Sequence, residues 1–280
     1  MSDPDSQNQD PDHGFLHRFA GIARLYGVPA LLRFRQARVA VIGTGGVGSW
    51  AVEALARSGV GHLTLVDPDE ICLTNVNRQL HAMDGQIGRL KTAAMAERVR
   101  AIHPQAAVAE VHAFFSERNC HELLEPGFDA VLDAIDVLRH KCLLLTECRR
   151  RGIPVVTCGG AGGRRDPTRV RWDDLARSSG DALLLQVRRN LRTHHGFPKA
   201  ATGQIAPKFG IEAVFSDEAR VFPQCDGSVS GQRPPEADLR LTCESGFGTS
   251  AAVTCTFGMV AAARVLERLQ EGVSPRILTI

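Results

Sequence analysis

One short pattern constrains this 280-residue chain more than any other. Gly43-Thr44-Gly45-Gly46-Val47-Gly48 stands between an apolar run, Val39 to Ile42, and a segment with helical apolar spacing, Trp50 to Arg57. A second apolar run, His62 to Val66, follows and closes on Asp67. Strand, glycine turn, helix, strand and acid, in that order, fit a right-handed parallel crossover whose turn cradles phosphate. Glycines let an anion approach the backbone, where free N–H groups and the positive end of the helix dipole face it. Gly43, Gly45, Gly46 and Gly48 are therefore candidate nucleotide-binding residues, and Asp67 is placed to accept hydrogen bonds from a ribose diol.

The alternation continues downstream. Lys91 to Ile102 reads as a helix stopping before Pro104, and Leu138 to Arg151 as a helix stopped by Gly152. Ala107 to Val111, Ala130 to Leu132 and Ile153 to Thr157 read as strands. This predicts an α/β fold with a Rossmann-like, doubly wound, mainly parallel sheet. Phe15 to Phe34 reads as one or two short helices broken at Gly27-Val28-Pro29. Past Arg164 come a short strand, Arg169 to Trp172, a basic helix around Leu183 to Arg192, and a loop-rich stretch to about Arg240, together a loop-rich C-terminal extension of the same domain. Residues 1–13 read as a disordered lead-in. Residues 14–272 read as a single domain with a nucleotide half over about 37–163 and a substrate half over about 164–272.

Asn75, Arg78 and Lys91 add an amide and two cations near the same end of the sheet, which suits a triphosphate better than a pyrophosphate bridge. Asp133 and Asp136 can bring a carboxylate to those phosphates, where magnesium needs oxygen ligands; Asp136 is also placed to cap the next helix. A dinucleotide satisfies the glycine turn and Asp67 equally, so a nicotinamide-dependent oxidoreductase stays open at this point.

With 33 Lys+Arg against 31 Asp+Glu the net charge is +2, so a nucleic acid would have to be held by a local patch. Arg164, Arg165, Arg169, Arg171, Arg188, Arg189, Arg192, Lys199 and Lys208, with His194 and His195, offer one in the second half. The eight cysteines show no pair at zinc-site or redox spacing, and with no secretory signal the reading is cytoplasmic. Ser245 to Ala263 lacks charged side chains and approaches the roughly 20 residues that cross a bilayer. Its Gly and Thr content favours a buried helix, and no membrane partner is expected.

Gly43 to Gly48, Val66-Asp67-Pro68-Asp69, Asn75-Val76-Asn77-Arg78-Gln79, Gly88-Arg89-Leu90-Lys91 and Asp133-Ala134-Ile135-Asp136 together resemble the superfamily of ubiquitin-activating-like adenylating enzymes. The resemblance implies ATP with magnesium and transfer of AMP to a carboxylate. It implies that Asp67 holds the ribose within a motif shared with Asp69, that Asn75 and Arg78 contact phosphates, that Lys91 neutralises them, and that Asp136 positions magnesium or nucleotide. Arg78, Lys91 and Asp136 are thereby the catalytic candidates.

Within the superfamily, further segments are similar to the dehydratases that act on threonylcarbamoyladenosine in tRNA. They are Arg18-Phe19 through Gly27, His81-Ala82, Thr157 through Gly163, Val214-Phe215-Ser216 with Glu218, and Cys243 through Gly248. What this implies is ATP-dependent cyclisation of that nucleoside, tRNA as partner, a homodimer, sulfur-transfer partners of the cysteine-desulfurase type, and a monovalent cation. Cys243 is a further catalytic candidate, since a helix beginning near Gly246 would favour its thiolate. The run Gly159 to Gly163 reads equally as a wall of the substrate cleft and as a tight structural loop. Relatives that activate sulfur-carrier proteins carry a zinc site of paired cysteines, absent here, and an arginine where this chain has Gly21. Activation of such a carrier is the alternative activity.

Overall fold

The computed structural model describes residues 11–199, 207–224, 226–232 and 247–271. Three short helices lead in: α1 (Pro11–Arg18), α2 (Ala20–Tyr26) and α3 (Val28–Gln36). There follow β1 (Arg38–Ile42), α4 (Gly48–Arg57), β2 (His62–Val66), α5 (Lys91–Ile102), β3 (Ala107–Val111), α6 (Cys120–Leu124), β4 (Ala130–Asp133), α7 (Leu138–Arg151) and β5 (Val155–Cys158). Then come β6 (Val170–Asp174), α8 (Ala182–His194), β7 (Glu212–Ser216), a small hairpin of β8 (Phe222–Pro223) and β9 (Val229–Ser230), and α9 (Ala251–Glu271).

Seven strands form one sheet in the order β3-β2-β1-β4-β5-β7-β6, parallel except for the antiparallel edge strand β6. Successive strand residues point to opposite faces, and both faces are covered. Val39 and Val41 of β1 join the core beneath α4, α5 and α9, whereas Ala40 and Ile42 join the core beneath α7 and α8. Chain order reverses between β1 and β4, which opens a crevice at the carboxyl ends of those strands.

Several expectations need correction. Helix α1 starts at Pro11, so residues 11–13 are helical; residues 1–10 lie outside the described residues. The lead-in has three helices, with the break at Gly27, whose φ of +88° a side-chain-bearing residue rarely adopts. Strand β7 lies fully buried between β5 and β6, within the stretch that the sequence reads as loop-rich, where Val214, Phe215 and Ser216 stand out only through the resemblance. The uncharged segment does become part of a buried helix, α9, but it begins at Ala251, not near Gly246, and carries Arg264 and Arg268. Among the described residues no helix is long and apolar enough to cross a membrane.

Candidate active site

A cleft of about 710 Å³ opens at the crevice between β1 and β4. Its floor is the glycine turn. Gly43 has φ +92°, and a Cβ on Gly48 would lie 1.8 Å from the Gly43 carbonyl oxygen, so both ends of the turn require glycine. Asp67 braces it: Oδ2 accepts from the Thr44 N–H at 2.6 Å and Oδ1 from the Asp69 N–H at 2.9 Å. The N–H groups of Gly45, Gly46 and Val47 meet no protein acceptor among the described residues, and all three residues line the cleft. Three converging donors at the start of α4 are what a phosphate needs.

The cations stand opposite. The Lys91 side chain, at the first residue of α5, is only 7% exposed and its Nζ lies 2.7 Å from Asp69 Oδ2. The backbone carbonyl of Arg78 accepts from Trp50 Nε1 at 3.1 Å and from the Thr254 hydroxyl at 3.3 Å. Its Nη1 spends itself on Thr74 O and Asn77 Oδ1, which leaves Nε and Nη2 for a ligand. Asn75 is buried; its Oδ1 accepts from the Cys72 N–H at 3.1 Å, so the free end of its amide faces the cleft.

Asp136 is exposed at the opposite lip and has no hydrogen bond or ion pair among the described residues. The capping alternative fails, because the N-cap of α7 is Val137 and no side chain caps that helix. Asp133 is corrected as well: it is fully buried, 2.8 Å from the equally buried Lys141 Nζ, and cannot reach phosphates. It also accepts from the Thr157 hydroxyl at 2.7 Å and from the Ile135 N–H at 3.0 Å, while Lys141 donates to the Ile135 carbonyl at 2.8 Å. The pair thus clamps the turn that presents Asp136.

The far wall is the run after β5, where Gly159, Gly160, Ala161 and Gly162 line the cleft with Phe247. A Cβ on Gly162 would meet Phe247 Cβ at 2.9 Å, so the glycines let two chain segments close on each other. Behind them Asp181 accepts from the Gly160 N–H at 2.9 Å and pairs with the buried Arg164. Cys158 also lines the cleft, but burial pushes its thiol up to about 12, which makes it a core residue rather than a nucleophile.

The structure therefore brings Gly43, Gly45, Gly46, Gly48, Asp67, Asp69, Asn75, Arg78, Lys91 and Asp136 to one crevice, Gly43 and Gly48 shaping the turn. Cys243 lies outside the described residues, and α9 starts five residues beyond the helix start that would have activated it. The basic patch shrinks: Arg164 is buried, and Arg169 and Arg171 both pair with Asp217. Three residues were missed. Gln79 lines the cleft with a buried, unpartnered Oε1, and the exposed Phe114 ring stacks on His140 at the rim. Gln79 adjoins Arg78 within the motif already noted; nothing local marked the other two.

The profile of the ThiF family matches residues 18–276. The chain belongs to the ThiF family. It is 46% identical over 253 residues to the tRNA threonylcarbamoyladenosine dehydratase of Escherichia coli (strain K12), covering 90% of this chain and 93% of that protein. It is also 46% identical over 252 residues to the Haemophilus influenzae protein of the same name, with coverage of 90% and 93%. The solved structure of E. coli tRNA N6-threonylcarbamoyladenosine dehydratase, TcdA, in complex with ATP superimposes with a TM-score of 0.81 at 41% identity, over 92% of this chain and 96% of that one. Family membership and this likeness agree with the adenylating crevice read from the residues.

Proposed function

We propose that this ThiF-family chain catalyses the ATP-dependent dehydration of threonylcarbamoyladenosine in tRNA to its cyclic form. The observation that carries the reading is the single crevice in which a phosphate-cradling turn, Arg78, Lys91 and a free Asp136 carboxylate face a glycine-walled cleft. Asp67 holds the ribose, while the N–H groups of Gly45 and Gly46 and the cations of Arg78 and Lys91 hold the phosphates. The threonyl carboxylate attacks the α-phosphorus of ATP and pyrophosphate leaves. Arg78 and Lys91 stabilise the charge that develops on it. The neighbouring ureido group then attacks the activated carbonyl, AMP leaves with the carboxylate oxygen, and a proton is lost. Because nucleophile and electrophile share one molecule, orientation supplies most of what the second step needs.

Magnesium fits this site. An exposed, unpartnered Asp136 supplies one oxygen ligand, and magnesium takes its remaining ligands mainly from phosphates and water. When bound it neutralises phosphate charge. The reading also includes a homodimer and a sulfur-transfer partner, both through the resemblance alone.

The test is mass spectrometry of nucleosides from tRNA carrying threonylcarbamoyladenosine after incubation with protein, ATP and magnesium, beside Arg78→Ala. ATP-dependent loss of one water, absent in the variant, supports the reading. No change despite demonstrated ATP binding would sink it.

A further inference from the structure

The tRNA required by the activity proposed above must be held by a local patch, because the chain carries a net charge of only +2. We propose that the guanidinium cluster of Arg149, Arg188, Arg189 and Arg192, where α7 packs against α8, docks the phosphate backbone of that tRNA. Arg149 lies 4.2 Å over the Phe197 ring and Arg192 5.0 Å over the Phe209 ring, and the two rings meet edge to face at 4.9 Å. Two arginines, one from each helix, therefore share an aromatic shelf that fixes their planes. Arg188 stands one turn before Arg192, anchored on the Ser178 hydroxyl at 2.5 Å, and Arg189 beside it is exposed.

None of the four pairs with a carboxylate among the described residues, and α8 contains no acid at all. Several other arginines are matched: Arg150 and Arg151 hold Glu147, and Arg169 and Arg171 hold Asp217. Burial, and then the charges of Arg192 and Arg189, push the Arg188 guanidinium below its usual range, a sign that these cations lie close enough to repel. The acid that Arg188 feels, Asp181, is already engaged by Arg164 and the Gly160 N–H. A bound anion would relieve that repulsion.

Position supports the same partner. Asp181 touches the cleft wall, and at 1.5 Å per residue Arg188 and Arg192 lie about 10 and about 16 Å farther along α8. The cluster therefore lies within reach of the backbone of an RNA whose modified nucleoside is held in the cleft.

The test measures tRNA binding by anisotropy from low to high KCl, with ATP affinity, melting and tRNA KM alongside. Arg149→Gln/Arg189→Gln removes two exposed charges with little risk to the fold. It should raise the tRNA Kd about tenfold at physiological salt and reduce the slope of log affinity against log salt by about 2. Melting, ATP affinity and kcat at saturating tRNA should hold, Lys at both positions should restore the slope, and Arg150→Gln should leave it intact. Unchanged Kd and slope in the double Gln variant, or an equal loss in Arg150→Gln, would overturn the docking surface. If the wild type dehydrates tRNA while the double variant keeps its KM, the surface alone is wrong; if the wild type neither binds nor dehydrates tRNA, the function fails with it.

Discussion

Lys141→Ala would strand the carboxylate of Asp133 in a place with no solvent, since both side chains are fully buried at a separation of 2.8 Å. Removing one partner of a buried pair costs about 3–5 kcal/mol, because the remaining charge stays desolvated. Asp133 keeps the Thr157 hydroxyl and the Ile135 N–H, which places the expected loss near the lower end, about 3 kcal/mol. At about 2–4 °C per kcal/mol for domains of this general size, melting should fall by about 6–12 °C. The loss should not stop at stability. Lys141 also holds the Ile135 carbonyl, so the turn carrying Asp136 loosens and the KM for ATP rises. Lys141→Met/Asp133→Asn, which buries no charge, should recover more than half of the lost stability, a coupling that a double-mutant cycle by urea denaturation measures directly. A Lys141→Ala protein within about 1 kcal/mol of wild type would refute the reasoning, since a penalty that small is what a solvent-screened pair gives.

Other expectations follow from single residues. His81 is buried and, beside Lys91, takes up its proton only near pH 4 against 6.5 when unfolded. Over that window the unfolded chain binds more protons, so acidification from 6.5 to 4 should lower stability by up to about 3 kcal/mol. Urea titrations at several pH values check this, and His81→Gln should flatten the dependence. Cys72, exposed on the cleft rim, should react with iodoacetamide and be shielded by ATP, while buried Cys158 stays unmodified; peptide mapping reads both, and equal labelling with and without ATP counts against the cleft. In Gly258→Ala the new methyl would lie 2.5 Å from the Val47 carbonyl oxygen and 2.8 Å from Trp50 Cβ. The overpacked crossing should cost about 1–3 kcal/mol in a thermal melt and weaken ATP binding, since Val47 belongs to the phosphate turn.

What could be read from the sequence was whatever is local. The turn at Gly43 to Gly48, Asp67 at the end of its strand and Gly152 with φ +68° at the end of α7 are fixed by short-range backbone geometry, and periodicity located both flanking elements. Lys141 was legible in principle: it falls on the apolar face of a predicted helix with Cys142 and Leu145, where an unpaired cation could not be buried. Strand β7 was not, because its partners β5 and β6 are remote in sequence and Gly210 and Ser216 gave it turn-like edges. Asp133 went astray for a similar reason. Its distance to phosphate depended on a lysine eight residues on, and spacing cannot tell a carboxylate facing a cleft from one facing a buried ammonium. The pairing of Arg169 and Arg171 likewise needs Asp217 in three dimensions, whereas Glu147 with Arg150 and Arg151 is a local helical spacing.

Helix α9 is late in the chain yet finishes its earliest functional motif. Gly258 packs on Val47 and Trp50, and the Thr254 hydroxyl and the Thr249 carbonyl fasten Arg78 and Asn77. During synthesis from the N-terminus, the nucleotide turn and its arginine emerge long before the helix that secures them. A nascent chain stopped between residues 137 and 248 would carry every phosphate-binding residue of the crevice and still lack the fastening that holds Asn77 and Arg78 in place. ATP binding would then report that translation has run nearly to the end of the domain, so truncated products would be unable to sequester nucleotide.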